Sequence, residues 1–229
     1  MADQNVSNER KKELGQLDPF QEKLLKTLAY AKEYKKQLIL IAGAVLLVAL
    51  VFSGIMYSFQ KAENTAAILV TQALTQYADA NDPDKGYADT KTDFQTIFTD
   101  YANTTAARQA RVKFAKICYD ASQFDQSYHY YKEALEDFNN EARMENFLLA
   151  SLGQVCIVRK EFEDAKKYFL QIEQGNATLL KDEARYMLAM LYGTANNTVE
   201  SKKMYEKIIT DYESSMYTPM AKSKLEQIK

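Results

Sequence analysis

The chain has 229 residues and a formal net charge of −2, and it contains seven glycines, three prolines and no tryptophan. So few turn-forming residues, together with apolar residues at helical spacing almost throughout, favour helices over a β-sandwich or β-barrel. The absence of a basic balance argues against nucleic acid as a partner.

The first predicted helix precedes a long apolar run. An Asp-Pro pair at residues 18–19 predicts a helix start, since aspartate can cap a helix and proline suits its first position. Apolar residues then recur every three or four positions among lysines: Phe20, Leu24, Leu28 and Ala31. The pattern predicts an amphipathic juxtamembrane helix over residues 17–37, lying at the inner leaflet. It serves either as an electrostatic anchor or for partner binding or lipid sensing.

Residues 38–59 form an uncharged run of 22 residues without proline. A helix of this length covers roughly 33 Å, enough to cross the roughly 30 Å hydrocarbon core of a bilayer. We therefore expect a transmembrane helix in contact with membrane lipid. The alternatives are a buried core helix and a cleaved signal peptide, although the run exceeds the roughly 7–15 apolar residues of a signal peptide.

The lysines on either side of this run predict its orientation. Five lysines lie within residues 23–37, whereas residues 60–74 contain only Lys61. Because the lysine-rich flank stays in the cytoplasm, residues 1–16 are predicted to be a disordered cytoplasmic tail and residues 60–229 an exported domain.

The exported domain contains a repeat of 36 to 38 residues. Its aromatic positions are Phe94, Tyr131, Phe169 and Tyr205. Upstream, small residues follow larger apolar ones, at Phe114-Ala115, Leu152-Gly153 and Leu188-Ala189. The pattern predicts helical hairpins in which the small residue of the first helix makes room for the aromatic side chain of the second. One hairpin cannot bury its faces alone, so neighbours stack.

These positions resemble the tetratricopeptide repeat, and the best copy consists of Leu152, Gly153, Cys156, Ala165, Phe169 and Ile172. The resemblance covers about residues 66–229. It departs from the family pattern in lacking tryptophan and in exceeding the usual 34-residue period. It implies a right-handed α-solenoid of about four hairpins plus a capping helix from Thr218-Pro219. With the N-terminal transmembrane helix, the expected fold is all-α. The solenoid's opening helix is expected at about residues 65–78.

Stacked hairpins expose a concave face made mainly by the first helix of each pair. In this register the predicted partner-binding groove consists of Val112, Lys116, Tyr119, Phe147, Gln154, Ile157, Tyr186 and Met190. A mixture of aromatic, aliphatic and methionine side chains is typical of peptide-binding grooves. The alternative is that several of these residues belong to the core between repeats.

No catalytic, cofactor-binding or metal-binding residues are predicted, and we expect no enzyme activity. The sequence has no HExxH, P-loop or GxSxG motif, and its single histidine, His129, is predicted on a polar helix face. Cys118 and Cys156 occupy equivalent repeat positions. They are either buried free thiols or a bridge between adjacent hairpins.

The membrane-proximal text DPFQEKLLKTLAYAKEYKKQLILIAGAVLLVALV and the layout of the whole chain resemble bacterial proteins of the YfgM type. Members of that family are single-pass inner-membrane proteins described as ancillary subunits of the SecYEG translocon, and they partner a periplasmic chaperone. The resemblance implies a periplasmic scaffold that binds translocon subunits, the chaperone or emerging chains. The alternative is a periplasmic adaptor in envelope assembly or cell division. The capping helix is also a candidate surface for a homodimer.

Overall fold

A computed structural model describes residues 19–228. This part of the chain is 84% helical, with ten helices and no strand. In chain order the helices are α1 (Pro19–Glu33), α2 (Lys35–Asp79), α3 (Pro83–Asp100), α4 (Thr105–Asp120), α5 (Phe124–Asp137), α6 (Ala142–Val158), α7 (Phe162–Gln174), α8 (Lys181–Thr194), α9 (Thr198–Asp211) and α10 (Tyr217–Gln227). The all-helical fold class predicted from the sequence is confirmed. The disordered tail predicted for residues 1–16 lies outside the described residues.

The chain divides into two compact units, with the boundary between Phe59 and Gln60. The first unit contains α1 and the apolar part of α2. Only Tyr34 separates these helices: its N–H donates to the Tyr30 carbonyl (3.0 Å), and its own carbonyl accepts from the Leu38 N–H (2.9 Å). Of the juxtamembrane helix predicted over residues 17–37, the described part from residue 19 onwards is therefore shared between α1 and the first turn of α2.

Helix α2 is the one helix of residues 19–228 that is long enough and apolar enough to cross a membrane, and no part of its most apolar stretch is buried. The opening helix expected at residues 65–78 is helical, but it is the last part of α2 rather than a separate element. The reason is local. Residues 60–64 (QKAEN) contain neither glycine nor proline, so nothing ends the helix there.

In the second unit consecutive helices pack on one another from α3 onwards, and α10 packs on both α9 and α8. The turns that join α4 to α5, α6 to α7 and α8 to α9 have the same geometry. Each contains one residue with positive φ: Ser122 (55°), Lys160 (62°) and Asn196 (59°). The next N–H then donates to the carbonyl five residues earlier: Gln123 to Cys118, Glu161 to Cys156 and Asn197 to Tyr192, at 2.7–2.8 Å. This is the Schellman way of ending a helix.

The predicted pairing of small and aromatic residues is visible in the core. A Cβ atom added at Gly153 would lie 2.6 Å from Cζ of Phe169, so any larger residue would require the ring or the helix to shift. The other two pairs, Ala115 with Tyr131 and Ala189 with Tyr205, are also buried.

Cys118 and Cys156 are both buried and both free, so the structure contains no bridge between them. Burial raises the pKa of the Cys118 thiol to about 12 and that of Cys156 to about 11.

Two polar contacts connect helices across the stack. The Glu63 carboxylate of α2 accepts hydrogen bonds from the N–H groups of Thr105 (2.7 Å) and Ala106 (2.8 Å), and so caps the start of α4. Farther along the chain, Arg185 of α8 pairs with Glu173 of α7 at 2.7 Å and with Asp211 of α9 at 2.6 Å. These contacts connect α2 with α4 and α8 with both α7 and α9.

Candidate functional site

The first helices of three successive pairs, α4, α6 and α8, contribute to one pocket of about 220 Å³. Its walls are Lys116, Tyr119, Tyr131, Phe147, Ala150, Ser151, Gln154, Leu180 and Glu183. Phe147, Ala150, Ser151 and Gln154 have the i, i+3, i+4, i+7 spacing that places side chains on one face of a helix, here the face of α6 that lines the pocket. The pocket is therefore a product of the helix stacking and not of a single element.

Four of the eight residues predicted to form a groove line this pocket: Lys116, Tyr119, Phe147 and Gln154. They come from α4 and α6, and the structure brings them together although up to 38 residues separate them in the chain. Phe147 is 43% exposed, so its ring is available to a partner.

The other four predicted residues do not line the pocket. Val112 and Ile157 are half-buried and pack against the hydrophobic core. Tyr186 is also half-buried, with its ring 5.1 Å from that of Tyr217. Met190 is 46% exposed on α8. The alternative interpretation of these positions, as core between repeats, thus describes Val112, Ile157 and Tyr186.

The loop between α7 and α8 forms one wall of the pocket, and hydrogen bonds from α6 hold it in place. The buried Asn146 side chain donates from Nδ2 to the carbonyl of Leu179 (2.8 Å) and to that of Ala177 (3.5 Å). Leu180 follows with φ 62° and ψ 13°, a left-handed conformation that costs a bulky residue on the order of 1–3 kcal/mol. Asn146 therefore holds the loop by hydrogen bonds beside a leucine whose backbone conformation is unfavourable.

Glu183 is the carboxylate of the pocket. Its Oε1 accepts a hydrogen bond from Gln154 Nε2 at 2.9 Å. Burial raises the pKa of Glu183, and the neighbouring Asp182 adds to the rise, while the hydrogen bonds from Gln154 and Tyr217 oppose it. No lysine or arginine is among the groups that shift this pKa. The pocket thus contains a carboxylate stabilised by an amide and a phenol but by no cation.

The lysine of the pocket is already paired. Lys116 Nζ forms an ion pair with the Asp120 carboxylate one turn later on α4, and it lies 5.9 Å from the centre of the Tyr119 ring. The Lys116 charge is therefore balanced within its own helix, whereas that of Glu183 is not. Beneath them Tyr131 is buried, which raises the pKa of its phenol to about 12.

Five lining residues were not predicted: Tyr131, Ala150, Ser151, Leu180 and Glu183. Helical spacing from Phe147 and Gln154 would have found Ala150 and Ser151. The repeat position of Tyr131 predicts a core residue, and its ring is indeed buried. Leu180 depends on a positive φ in a loop, for which its side-chain type gives no signal.

Outside this pocket the predicted polar surface at His129 is as expected. Its Nε2 lies 3.5 Å from Glu133 Oε1 on the same helix, and the imidazole is exposed. Within residues 19–228, no group of three or more His, Cys, Asp or Glu side chains is placed to hold a metal ion.

No protein-family model matches the chain, and no curated protein matches it either. The features that bear on function are therefore the pocket, the helix packing and the apolar helix.

Proposed function

We propose that this protein is a membrane-anchored scaffold for protein–protein interaction, and that the pocket between α4, α6 and α8 is the centre of its partner-binding groove. In this proposal residues 60–229 form a tetratricopeptide-like α-solenoid in the periplasm. Its partners are proteins or peptides of the export system: translocon subunits, a periplasmic chaperone or emerging chains.

The observation that carries the proposal is the convergence of Lys116, Tyr119, Phe147 and Gln154 on one pocket. These residues were selected from the repeat register alone, as the concave face of a stack of hairpins. Their convergence, and the three turns of the same geometry between paired helices, support a tetratricopeptide-like stack.

The membrane anchor of the proposal is the apolar part of α2. Residues 38–59 span roughly 33 Å as a helix, and their side chains are exposed in the structure. An exposed surface of this size and apolarity is not stable in water, and a bilayer would cover it. The lysine distribution supports an orientation in which residues 60–229 lie on the periplasmic side of a bacterial inner membrane.

The test is site-specific photocrosslinking in intact cells. A photoreactive phenylalanine analogue at Phe147 or Met190 would lie on the proposed groove, and the same analogue at exposed Lys132 on α5 serves as the control position. We expect Phe147 to give crosslinks to translocon subunits, a periplasmic chaperone or exported chains, and Lys132 to give none of them. Identical products from Phe147 and Lys132 would show that the groove is not the binding face.

The second candidate is an adaptor for envelope assembly or cell division, which the same pocket would serve. The crosslinking experiment separates the two. Recovery of peptidoglycan-synthesis or outer-membrane assembly proteins at Phe147, without translocon subunits or chaperone, would favour this second function.

A further inference from the structure

The pocket has a charge asymmetry that limits what it can bind. Lys116 is paired with Asp120, so this side of the pocket is neutral overall. Glu183 on α8 has two neutral polar partners, the amide of Gln154 and the phenol of Tyr217, and no lysine or arginine is among the groups that shift its pKa. An ionised carboxylate that loses water without gaining a cation is costly, and a ligand that brings a positive charge would remove this cost.

The size and walls of the pocket limit the ligand further. A volume of about 220 Å³ is below the roughly 300–1,000 Å³ of sites for drug-sized molecules, and it suits one long side chain. The walls beside Glu183 are aromatic and aliphatic, including Tyr119, Phe147 and Leu180. Such walls accept the methylene stem of lysine or arginine, and aromatic rings attract the cationic end.

Resting on the proposed function, we propose that this pocket binds a basic side chain, arginine or lysine, from an extended segment of the partner protein, with Glu183 as its counter-charge. Arginine is expected to bind more tightly than lysine, since its planar guanidinium can both stack on Phe147 or Tyr119 and donate two hydrogen bonds to one carboxylate.

The fixed geometry of the pocket supports a specific anchor site. Asn146 holds the loop that carries Leu180, and Gln154 orients the Glu183 carboxylate. A partner side chain would therefore enter a pocket that is already formed, so less ordering would oppose binding.

The test uses the full-length protein in nanodiscs of zwitterionic lipid, so that basic peptides gain nothing from the bilayer. The probes are fluorescein-labelled Ala-Leu-Ala-X-Ala-Leu-Ala peptides in which X is arginine, lysine, citrulline, norleucine or glutamate. Citrulline has the shape of arginine without its charge. Fluorescence anisotropy, with empty nanodiscs subtracted, gives the affinities. We expect the arginine peptide to bind about tenfold more tightly than the citrulline peptide, as for one charge-assisted contact.

The variants are Glu183→Gln and, as a control with the same change of charge, Glu136→Gln at an exposed site on α5. Glu183→Gln should remove most of the preference for arginine over citrulline, and Glu136→Gln should leave it unchanged. The comparison of arginine with citrulline in the unmodified protein needs no variant to fold.

The outcomes distinguish this proposal from the one on which it rests. Equal binding of the arginine, citrulline and norleucine peptides would overturn the basic-anchor proposal and leave peptide binding in place. Preference for the glutamate peptide would overturn it as well and would assign recognition to Lys116. Absence of binding by every peptide, together with absence of crosslinks from Phe147, would overturn the proposed function itself.

Discussion

Gly153 lies where α6 meets the Phe169 ring of α7, and its lack of a side chain determines how close these helices come. A methyl group there would meet the ring at 2.6 Å. Phe169 is fully buried, so its ring has little room to move away.

We expect Gly153→Ala to lower the free energy of unfolding by about 1 kcal/mol. Overpacking in a core costs about 1–3 kcal/mol, and the better helix propensity of alanine returns at most about 1 kcal/mol. The measurement is urea unfolding of the full-length protein in detergent, with circular dichroism as the readout. Gly193→Ala is the control, because a Cβ at Gly193 would meet only Ser201 Oγ at an ordinary 3.5 Å. Equal effects of the two substitutions would contradict the packing argument.

The two cysteines give a second prediction at this scale. Since the thiolate is the reactive form and burial raises both thiol pKa values, Cys118 and Cys156 should react slowly with maleimide at pH 7 in the folded protein. Both should react at once in denaturant. Intact-mass spectrometry counts the labels, and an oxidised protein that takes up no label even when unfolded would show a disulfide that the structure lacks.

At the residue scale, the sequence predicted contacts that depend on residue type and spacing, such as Gly153 against Phe169. It could not predict Leu180 or Glu183 in the pocket. The position of Leu180 depends on the sign of its φ angle. Glu183 lies in the first turn of α8, so its position depends on the loop that precedes this helix.

At the scale of the elements, ion pairs join helices α7, α8 and α9 around Glu173. Arg185 lies 2.7 Å from one carboxylate oxygen of Glu173 and Lys207 lies 2.9 Å from the other. Burial by itself would raise the pKa of Glu173, but the hydrogen bonds from Arg185 and Lys207 outweigh it, so that the pKa is lowered.

Glu173→Gln should therefore destabilise the protein by about 3 kcal/mol at pH 7, as removal of one partner of a buried ion pair does. A lowered pKa means that ionised Glu173 stabilises the fold above its ordinary value of 4.5, and that this contribution is lost as pH falls through the lowered value. The difference between variant and unmodified protein should consequently shrink below pH 4.5. Urea unfolding at pH 7 and at progressively lower pH measures it. A difference that does not change with pH would mean that the charge of Glu173 is unimportant.

Helix α1 offers a test of the predicted lipid-facing stripe. Because the chain has no tryptophan, a single introduced tryptophan reports on its own position. In bilayers with brominated acyl chains, Leu24→Trp should be quenched strongly and Glu22→Trp, on the opposite side of the helix, should be quenched weakly. Equal quenching of the two would exclude an α1 that lies along the membrane surface with its leucines inserted.

The sequence predicted the helices themselves well, because apolar spacing and turn residues are local signals. It treated the transmembrane helix over residues 38–59 and the opening helix at about residues 65–78 as two elements, where the structure has the single helix α2. The different predicted roles of the two segments, one in the membrane and one in the repeat domain, suggested two helices. Residues 60–64, however, carry no signal that ends a helix.

At the scale of the whole molecule, the proposed orientation has a direct test. Alkaline phosphatase fused after Lys229 should be active and green fluorescent protein fused there should be dark, because the first folds only after export and the second only in the cytoplasm. The same reporters fused after Gln37 should show the opposite behaviour. A fluorescent fusion after Lys229 would place the repeat domain in the cytoplasm and contradict the proposed function.

The carboxylate of Glu63 has a practical consequence for the expression of residues 60–229 alone. It caps the first turn of α4 from a position only four residues after the end of the apolar run. A fragment begun at residue 66 or 70 to avoid lipid would leave the amides of Thr105 and Ala106 to water and lose about 0.5–2 kcal/mol of helix capping. A fragment that begins at Gln60 omits the apolar run and retains Glu63.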